Sequence, residues 1–182
     1  MARISLTPPR TLINRVAAAY SKRQYGAVMD PLNAMAHNRK VLLSNARFEM
    51  SLAKWKSLDP QLKQLAVMAA SHRIGCSWCT DFGYWLAHSA GIDEAKLRDV
   101  PQWRDSSRFT ELERQVLEYA EAMSGEMGEV TDELVAALRS ALGEQALVEL
   151  TMMIAVENQR SRFNSALGLT SQGFAERCEV RL

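Results

Sequence analysis

Residues 74–91 read IGCSWCTDFGYWLAHSAG and hold two of the three cysteines of the chain, Cys76 and Cys79, at a CxxC spacing. Gly75 interrupts the helical pattern that precedes it, and Ser77 is a good N-cap residue for a new helix. The stretch therefore predicts a helix, a tight break and a second helix, with both thiols at the N-terminus of the second helix.

A helix N-terminus favours redox chemistry at a cysteine. Its free N–H groups and its dipole stabilise an anion, which lowers the pKa of a thiol below the usual ~8.5. One helical turn also brings the two sulfurs of a CxxC pair within reach of a disulfide. Two other interpretations remain: small buried residues, or a zinc site whose four ligands would require His72, Cys178 or a second subunit.

The rest of the chain has the signals of helices. Residues 146–156, ALVELTMMIAV, are apolar nearly all round, which predicts a central helix buried between others. No run alternates with period two for long enough to predict a strand. Four helix starts are predicted at Asp30-Pro31, Asp59-Pro60, Thr110 with Glu113, and Thr131. These signals predict an all-α helical bundle.

Length and composition exclude several classes of protein. A chain of 182 residues with 47% hydrophobic residues predicts one all-helical domain over residues 1–182. The 22 basic and 21 acidic residues are spread along the chain, so no basic stripe predicts nucleic-acid binding. No apolar run has the length of a membrane span and the start does not have the pattern of a signal peptide, so we expect a cytoplasmic protein without a membrane partner.

Two longer stretches identify a family resemblance. They are QLAVMAASHRIGCSWCTDFGYWLAHSAGID at residues 64–93 and ENQRSRFNSALGLTSQGF at residues 157–174. Both resemble the alkylhydroperoxidase D-like group of the carboxymuconolactone decarboxylase family. The resemblance covers residues 30–175, which leaves residues 1–29 as an N-terminal extension with one helix. It implies a helical bundle that forms homo-oligomers, with a hexamer or trimer favoured and a dimer next.

The resemblance also implies an activity, which is reduction of a small peroxide or disulfide by the CxxC pair, with an unidentified thiol as electron donor and no cofactor. Cys79 corresponds to the cysteine that attacks peroxide and Cys76 to the one that resolves it. Redox members carry a histidine four residues after the second cysteine and a glutamate twelve before the first, which together form a proton relay. Here these positions are Gly83 and Gln64, so the sequence predicts a weak peroxidase whose disulfide exchange is less affected.

Other residues near the pair are candidates to replace the relay. His72 lies four residues before Cys76 and is the favoured base. Asp81 is a supporting candidate, although an acid in a first turn more often interacts with the helix dipole, and Trp78 is either a pocket wall or a core residue. Cys178 is expected to be a spectator.

A polar group near the C-terminus has two alternative interpretations, a buried network beside the site or at an interface, and a solvated helix face. Its members are Glu157, Arg160, Arg162 and Asn164.

Two other functions are alternatives to the redox one. Family members without the cysteine pair imply a cofactor-free decarboxylase or isomerase, whose activity would not depend on these thiols. A non-catalytic oligomeric binding protein would show neither reversible oxidation nor turnover. The CxxC pair favours the oxidoreductase.

Overall fold

The structure is a computed structural model that describes residues 1–179, so residues 180–182 of the predicted domain lie outside the described part. Within residues 1–179 the chain forms nine α-helices, one short 3-10 turn at Val100–Gln102 and no strand. The helices are α1 (Leu12–Tyr25), α2 (Asp30–Met35), α3 (Arg39–Leu52), α4 (Pro60–Ile74), α5 (Ser77–Ser89), α6 (Glu94–Asp99), α7 (Glu111–Ser124), α8 (Asp132–Ala166) and α9 (Glu176–Glu179). The all-α prediction is confirmed.

The central helix of the bundle is α4, which packs against α5, α7 and α8. Eight of its residues are buried, and they include the alanines Ala66, Ala69 and Ala70. Small side chains let neighbouring helices approach from several sides, so α4 has no solvent face along its middle. Two large side chains of the same helix, Leu65 and Met68, fill the space between these contacts.

The prediction of a fully buried helix over residues 146–156 is only partly correct. Leu150 and Ile154 are buried in the main core, but Val148 and Met152 are exposed on the outer face of α8. The central position belongs to α4 because its alanines allow closer packing than the larger side chains of α8 do. Gly143, within α8, departs from helical geometry with a φ of 77°, so α8 consists of two helical segments joined by a kink.

All four predicted helix starts are confirmed, three of them with the predicted cap residue. The Asp59 carboxylate accepts hydrogen bonds from two N–H groups of the first turn of α4, and Thr110 and Glu113 form a capping box at α7. The Thr131 side chain accepts a hydrogen bond from the N–H of Leu134 at the start of α8.

The predicted cap at Asp30 is wrong, because the N-cap of α2 is Met29 and Asp30 is the first helical residue. The backbone N–H of Asp30 donates to the Gln172 side chain at 2.8 Å. This contact draws the start of α2 toward the C-terminal segment and moves the cap one residue earlier.

No helix within residues 1–179 combines the length and the apolar character needed to cross a membrane.

We expect Leu138→Ala to lower the free energy of unfolding by about 2–5 kcal/mol, because this side chain of α8 is fully buried in the core and its loss leaves a cavity. Urea unfolding followed by circular dichroism at one protein concentration measures the effect. The control is the exposed neighbour Arg139, for which Arg139→Ala should stay within about 0.5 kcal/mol. Equal stabilities of the two variants would contradict the burial of Leu138.

Candidate redox site

The cysteine pair lies at the start of α5, directly after the turn that ends α4. Gly75 has a φ of 78°, a conformation that glycine adopts without strain, and this turn ends α4. Cys76 is the N-cap residue and its Sγ accepts a hydrogen bond from the N–H of Cys79 at 3.2 Å. The predicted position of the thiols at a helix N-terminus is confirmed, whereas the cap is Cys76 and not Ser77.

The two cysteines form a disulfide bond, with Cα atoms 5.3 Å apart. Cys76 is 3% exposed and Cys79 is 5% exposed, so both sulfurs lie in an environment with little water. Trp78 and Phe174 pack against them as buried members of the same cluster. Further side chains of this cluster are Tyr25, Ala27, Met29, Phe82 and Trp85. Trp78 therefore belongs to the core that surrounds the cysteines.

The polar contacts of Cys79 come from α8. The Ser161 hydroxyl donates to Cys79 Sγ at 3.3 Å, and the Asn164 amide donates to the same sulfur at 3.3 Å. Both donors are buried. Together with the N-terminus of α5 they can stabilise a negative charge on this sulfur.

Behind Ser161 lies a buried carboxyl group. Glu157 Oε1 is 3.1 Å from Ser161 Oγ and 3.0 Å from Ser71 Oγ of α4, while Oε2 accepts from Arg160 at 3.3 Å. Arg160 also pairs with Glu49 of α3, its Nε donating at 2.9 Å. Burial raises the pKa of Glu157, an effect that Arg160 and the serine hydroxyls partly offset.

Gln64 and Gly83 form a contact between α4 and α5. Gln64 Nε2 donates to the Gly83 carbonyl at 3.0 Å. A Cβ atom at position 83 would lie 2.9 Å from the sulfur of Met68, a side chain that is itself buried. The space that a relay histidine would need is therefore occupied by the close packing of the two helices.

His72 lies on the solvent side of the pair, at the end of α4. It is half-buried, and burial lowers the pKa of its ring. It lines an open cleft of about 500 Å³ together with Gly75, Ser77 and Thr80, which are neighbours of the cysteines in sequence. Within residues 1–179 the hydrogen bonds to Cys79 Sγ come from α8, and none comes from His72.

Asp81 holds the C-terminal segment against α5. Its two carboxylate oxygens accept from the backbone N–H groups of Gln172 at 2.8 Å and Ala175 at 2.7 Å. The Gln172 side chain in turn accepts from the indole N–H of Trp78 at 2.8 Å. Asp81 and Trp78 thus position residues 172–175 as a cover over the cysteine cluster, and neither has a polar contact with a sulfur among these bonds.

Sequence reasoning identified Glu157 and Asn164 as members of a polar group but missed Ser161 and Ser71. A signal for Ser161 was present, because Glu157, Ser161 and Asn164 follow an i, i+4, i+7 spacing and share one face of α8. Ser71 had no comparable signal, since only the packing of α4 on α8 brings it to Glu157.

A metal site is not formed by the described residues. Among residues 1–179 no group of three or more His, Cys, Asp and Glu side chains is arranged to hold a metal ion.

Comparison with known proteins relates the chain to one family. The sequence profile of the carboxymuconolactone decarboxylase family matches residues 40–122. An uncharacterised protein of Escherichia coli strain K12, YnjA, is 34% identical over 172 residues, which are 93% of this chain and 94% of that protein.

Solved structures show the same fold at lower identity. The debrominase Bmp8, as a cysteine-to-alanine variant in complex with 2,3,4-tribromopyrrole, has a TM-score of 0.84 at 17% identity and covers 98% of both chains. A protein of unknown function from Agrobacterium tumefaciens, described as a putative antioxidant defence protein AhpD, has a TM-score of 0.71 at 22% identity over 76% of this chain and 95% of its own.

We expect Gly83→His to lower the free energy of unfolding by about 1–3 kcal/mol, because the imidazole forces Met68 out of its packed position. Urea unfolding measures the change. Leu86→His, on an exposed position of the same helix, is the control and should cost less than about 0.5 kcal/mol. A Gly83→His variant as stable as wild type would show that the contact between α4 and α5 can open to admit a relay histidine.

Proposed function

The chain belongs to the carboxymuconolactone decarboxylase family, and from this premise we propose that it is a thiol-dependent oxidoreductase of the alkylhydroperoxidase D-like group. Its substrate would be a small peroxide or disulfide and its redox pair Cys76 and Cys79. One observation carries the proposal: the Cys79 sulfur is bonded to Cys76 and lies between a helix N-terminus and two buried donors of α8. This environment stabilises the thiolate that attack on an oxidant requires.

The proposed cycle uses each cysteine once. The Cys79 thiolate attacks the terminal oxygen of a hydroperoxide, the O–O bond breaks and an alkoxide leaves, which takes a proton from solvent. The Cys76 thiol then attacks the sulfenic acid, and water leaves as the disulfide forms. A dithiol reductant returns the pair to thiols by two exchange steps. A small disulfide substrate would follow the same order, with thiolates as leaving groups.

We assign His72 to the step in which the reductant thiol enters the cleft and reduces the disulfide. Its lowered pKa leaves the ring neutral at pH 7, so it suits a base that takes the proton of an incoming reductant thiol. The cleft includes Gly75 and Ser77, which flank Cys76, so the reductant would attack Cys76 and Cys79 would be the leaving sulfur. A reducing compartment such as the cytoplasm would keep the pair as thiols between turnovers.

We also propose that the protein works as a homo-oligomer, for which we favour a hexamer or trimer over a dimer. Val148 and Met152 lie one turn apart on α8 and are exposed, at 68% and 41%. Apolar side chains in such an arrangement on a regular helix can be buried against an identical chain in a closed assembly.

We expect reduced wild-type protein to turn over hydroxyethyl disulfide with dithiothreitol as reductant, and tert-butyl hydroperoxide more slowly because Gln64 and Gly83 provide no relay. Cys79→Ser should abolish both activities, while Cys178→Ser, outside the pair, should retain them. Substrate consumption and mass mapping of the Cys76–Cys79 disulfide are the measurements. Unchanged activity in Cys79→Ser would refute the oxidoreductase that uses Cys76 and Cys79. An inert protein whose thiols never oxidise would leave the decarboxylase, the isomerase or the binding protein.

For the assembly, we expect sedimentation at micromolar concentration to show species heavier than the 20.4 kDa chain. The double variant Val148→Glu with Met152→Glu should shift them toward the single chain, because burying carboxylates at an apolar interface is unfavourable. Met127→Glu, at a fully exposed residue before α8, is the matched control and should leave the assembly unchanged. Wild-type protein that sediments only as a single chain would contradict the proposal.

A further inference from the structure

The Ser161 hydroxyl lies between the Cys79 sulfur and the Glu157 carboxyl group. Its oxygen is 3.3 Å from Cys79 Sγ and 3.1 Å from Glu157 Oε1. A hydroxyl has one proton, so it can donate to only one of these partners at a time, and a hydrogen bond to the other then needs a proton on that partner. With the disulfide formed, Cys79 has no proton to give. When Ser161 donates to this sulfur, the proton between Ser161 and Glu157 therefore has to come from the Glu157 carboxyl.

A second contact of Glu157 supports the same protonation state. The Ser71 hydroxyl is 2.8 Å from the Val67 carbonyl, which can only accept, and 3.0 Å from Glu157 Oε1. When Ser71 donates to the Val67 carbonyl and Ser161 donates to Cys79, neither hydroxyl proton points to Oε1, and a proton on Oε1 then forms the hydrogen bond to Ser161. The side chain of Glu157 is 3% exposed and Ser161 is fully buried, so solvent does not supply this proton directly.

The charges around Glu157 also favour its protonated form. Arg160 of α8 is the cation that contacts it, and this guanidinium is already paired with Glu49 of α3. From α4 the group that contacts Glu157 is the neutral Ser71, and the contact with α5 runs through Ser161 to Cys79. Tyr25 of α1 interacts electrostatically with the same Glu49–Arg160 pair. Two carboxylates that share one guanidinium leave a net negative charge, which is unfavourable for the buried Glu157 side chain, and a proton on Glu157 restores neutrality.

We propose that Glu157 stores, in the oxidised protein, the proton that Cys79 takes up when the disulfide is reduced, and that Ser161 passes it on. Ser161 touches the reacting sulfur and is the catalytic residue of this pair, whereas Glu157 acts through it. The inference rests on the proposed function in one respect, which is that Cys76 and Cys79 undergo reduction. It assigns to α8 the proton transfer that Gln64 and Gly83 cannot perform.

The step balances without another reactant. The thiolate of a dithiol attacks Cys76 Sγ, a new S–S bond forms, the Cys76–Cys79 bond breaks and Cys79 leaves with the electron pair. Ser161 then gives its proton to Cys79 and receives the proton of Glu157. The carboxylate that remains is stabilised by Arg160, which lies 3.3 Å from Oε2. The second thiol of the reductant attacks its own sulfur in the mixed disulfide, its proton passes to the departing Cys76 thiolate, and the reductant leaves as a cyclic disulfide. Before the next oxidant reacts, Cys79 returns its proton through Ser161 to Glu157 and becomes the attacking thiolate.

The test is the rate at which dithiothreitol reduces the protein's own disulfide, divided by the thiolate fraction of dithiothreitol at each pH. We expect the wild-type value to fall as pH rises and Glu157 loses its proton. Glu157→Gln and Ser161→Ala should each be about 10²-fold slower near pH 7 and independent of pH, because neither can deliver the stored proton. All three proteins should converge at alkaline pH.

The double variant distinguishes a shared path from two separate effects. If both residues act in one chain of transfer, Glu157→Gln with Ser161→Ala should be no slower than either single variant, whereas independent effects would multiply. Glu149→Gln is the matched control, since Glu149 is another buried glutamate of α8 that pairs with Lys63 and contacts neither cysteine. It should retain the wild-type pH profile even if it is less stable.

Infrared difference spectra between oxidised and reduced protein give a readout that does not depend on rates. The carbonyl stretch of a protonated buried carboxyl should disappear on reduction of wild type and of Glu149→Gln, and should be missing from Glu157→Gln. Equal rates and pH profiles in wild type, Glu157→Gln and Ser161→Ala, or multiplicative effects in the double variant, would overturn the inference. These experiments need no substrate, so failure of peroxide and disulfide turnover would refute the proposed function and leave this result standing.

Discussion

The site depends on the left-handed turn at Gly75. The Ser71 carbonyl accepts from the N–H groups of Gly75 at 3.0 Å and Cys76 at 3.1 Å, so the turn ends α4 and begins α5 at nearly the same place. A residue with a Cβ atom in this conformation would cost about 1–2 kcal/mol. Because the turn is so tight, the hydroxyl of Ser71 and the sulfur of Cys79 reach the same stretch of α8, and the polar network of Glu157 can join three helices at one point.

The packing of α4 against α5 excludes the proton relay that redox members of the family carry. Helices α4 and α5 approach closely where Gln64 donates to the Gly83 carbonyl, and Met68 fills the volume that a side chain at position 83 would take. The cysteine pair therefore has apolar packing on the side where redox members of the family carry their relay. Its polar neighbours lie across the pair instead, on α8, where Ser161 and Asn164 face Cys79.

Local features of the sequence predicted much of this structure. The capping residues Asp59, Thr110 and Thr131 act within one turn of their own helices. The position of the CxxC pair could likewise be predicted from a single helix start, that of α5. The partners of Cys79 could not be predicted in the same way, because Ser161 is 82 residues away and reaches the sulfur only through the packing of α8 on α5. Proximity in sequence made His72 the favoured base. In the structure the end of α4 places its ring in the cleft, whereas the hydrogen bonds to the Cys79 sulfur come from α8. Asp81 looked like a partner of its own helix dipole, whereas its carboxylate bonds to backbone groups more than 90 positions further along.

The C-terminal cover held by Asp81 bears on how the protein is made. Gln172 contacts Trp78, the N–H of Asp30 and the carbonyl of Val28, and Phe174 is fully buried in the cysteine cluster. A ribosome delivers these residues after every helix from α1 to α8 has been synthesised. The nascent chain consequently has its cysteines uncovered while α6, α7 and α8 are synthesised, and the apolar packing around the redox centre is completed only when residues 172–174 have left the ribosome. A stalled or clipped chain lacking this segment would expose an aromatic surface of the kind that chaperones bind, with two reactive sulfurs at its centre.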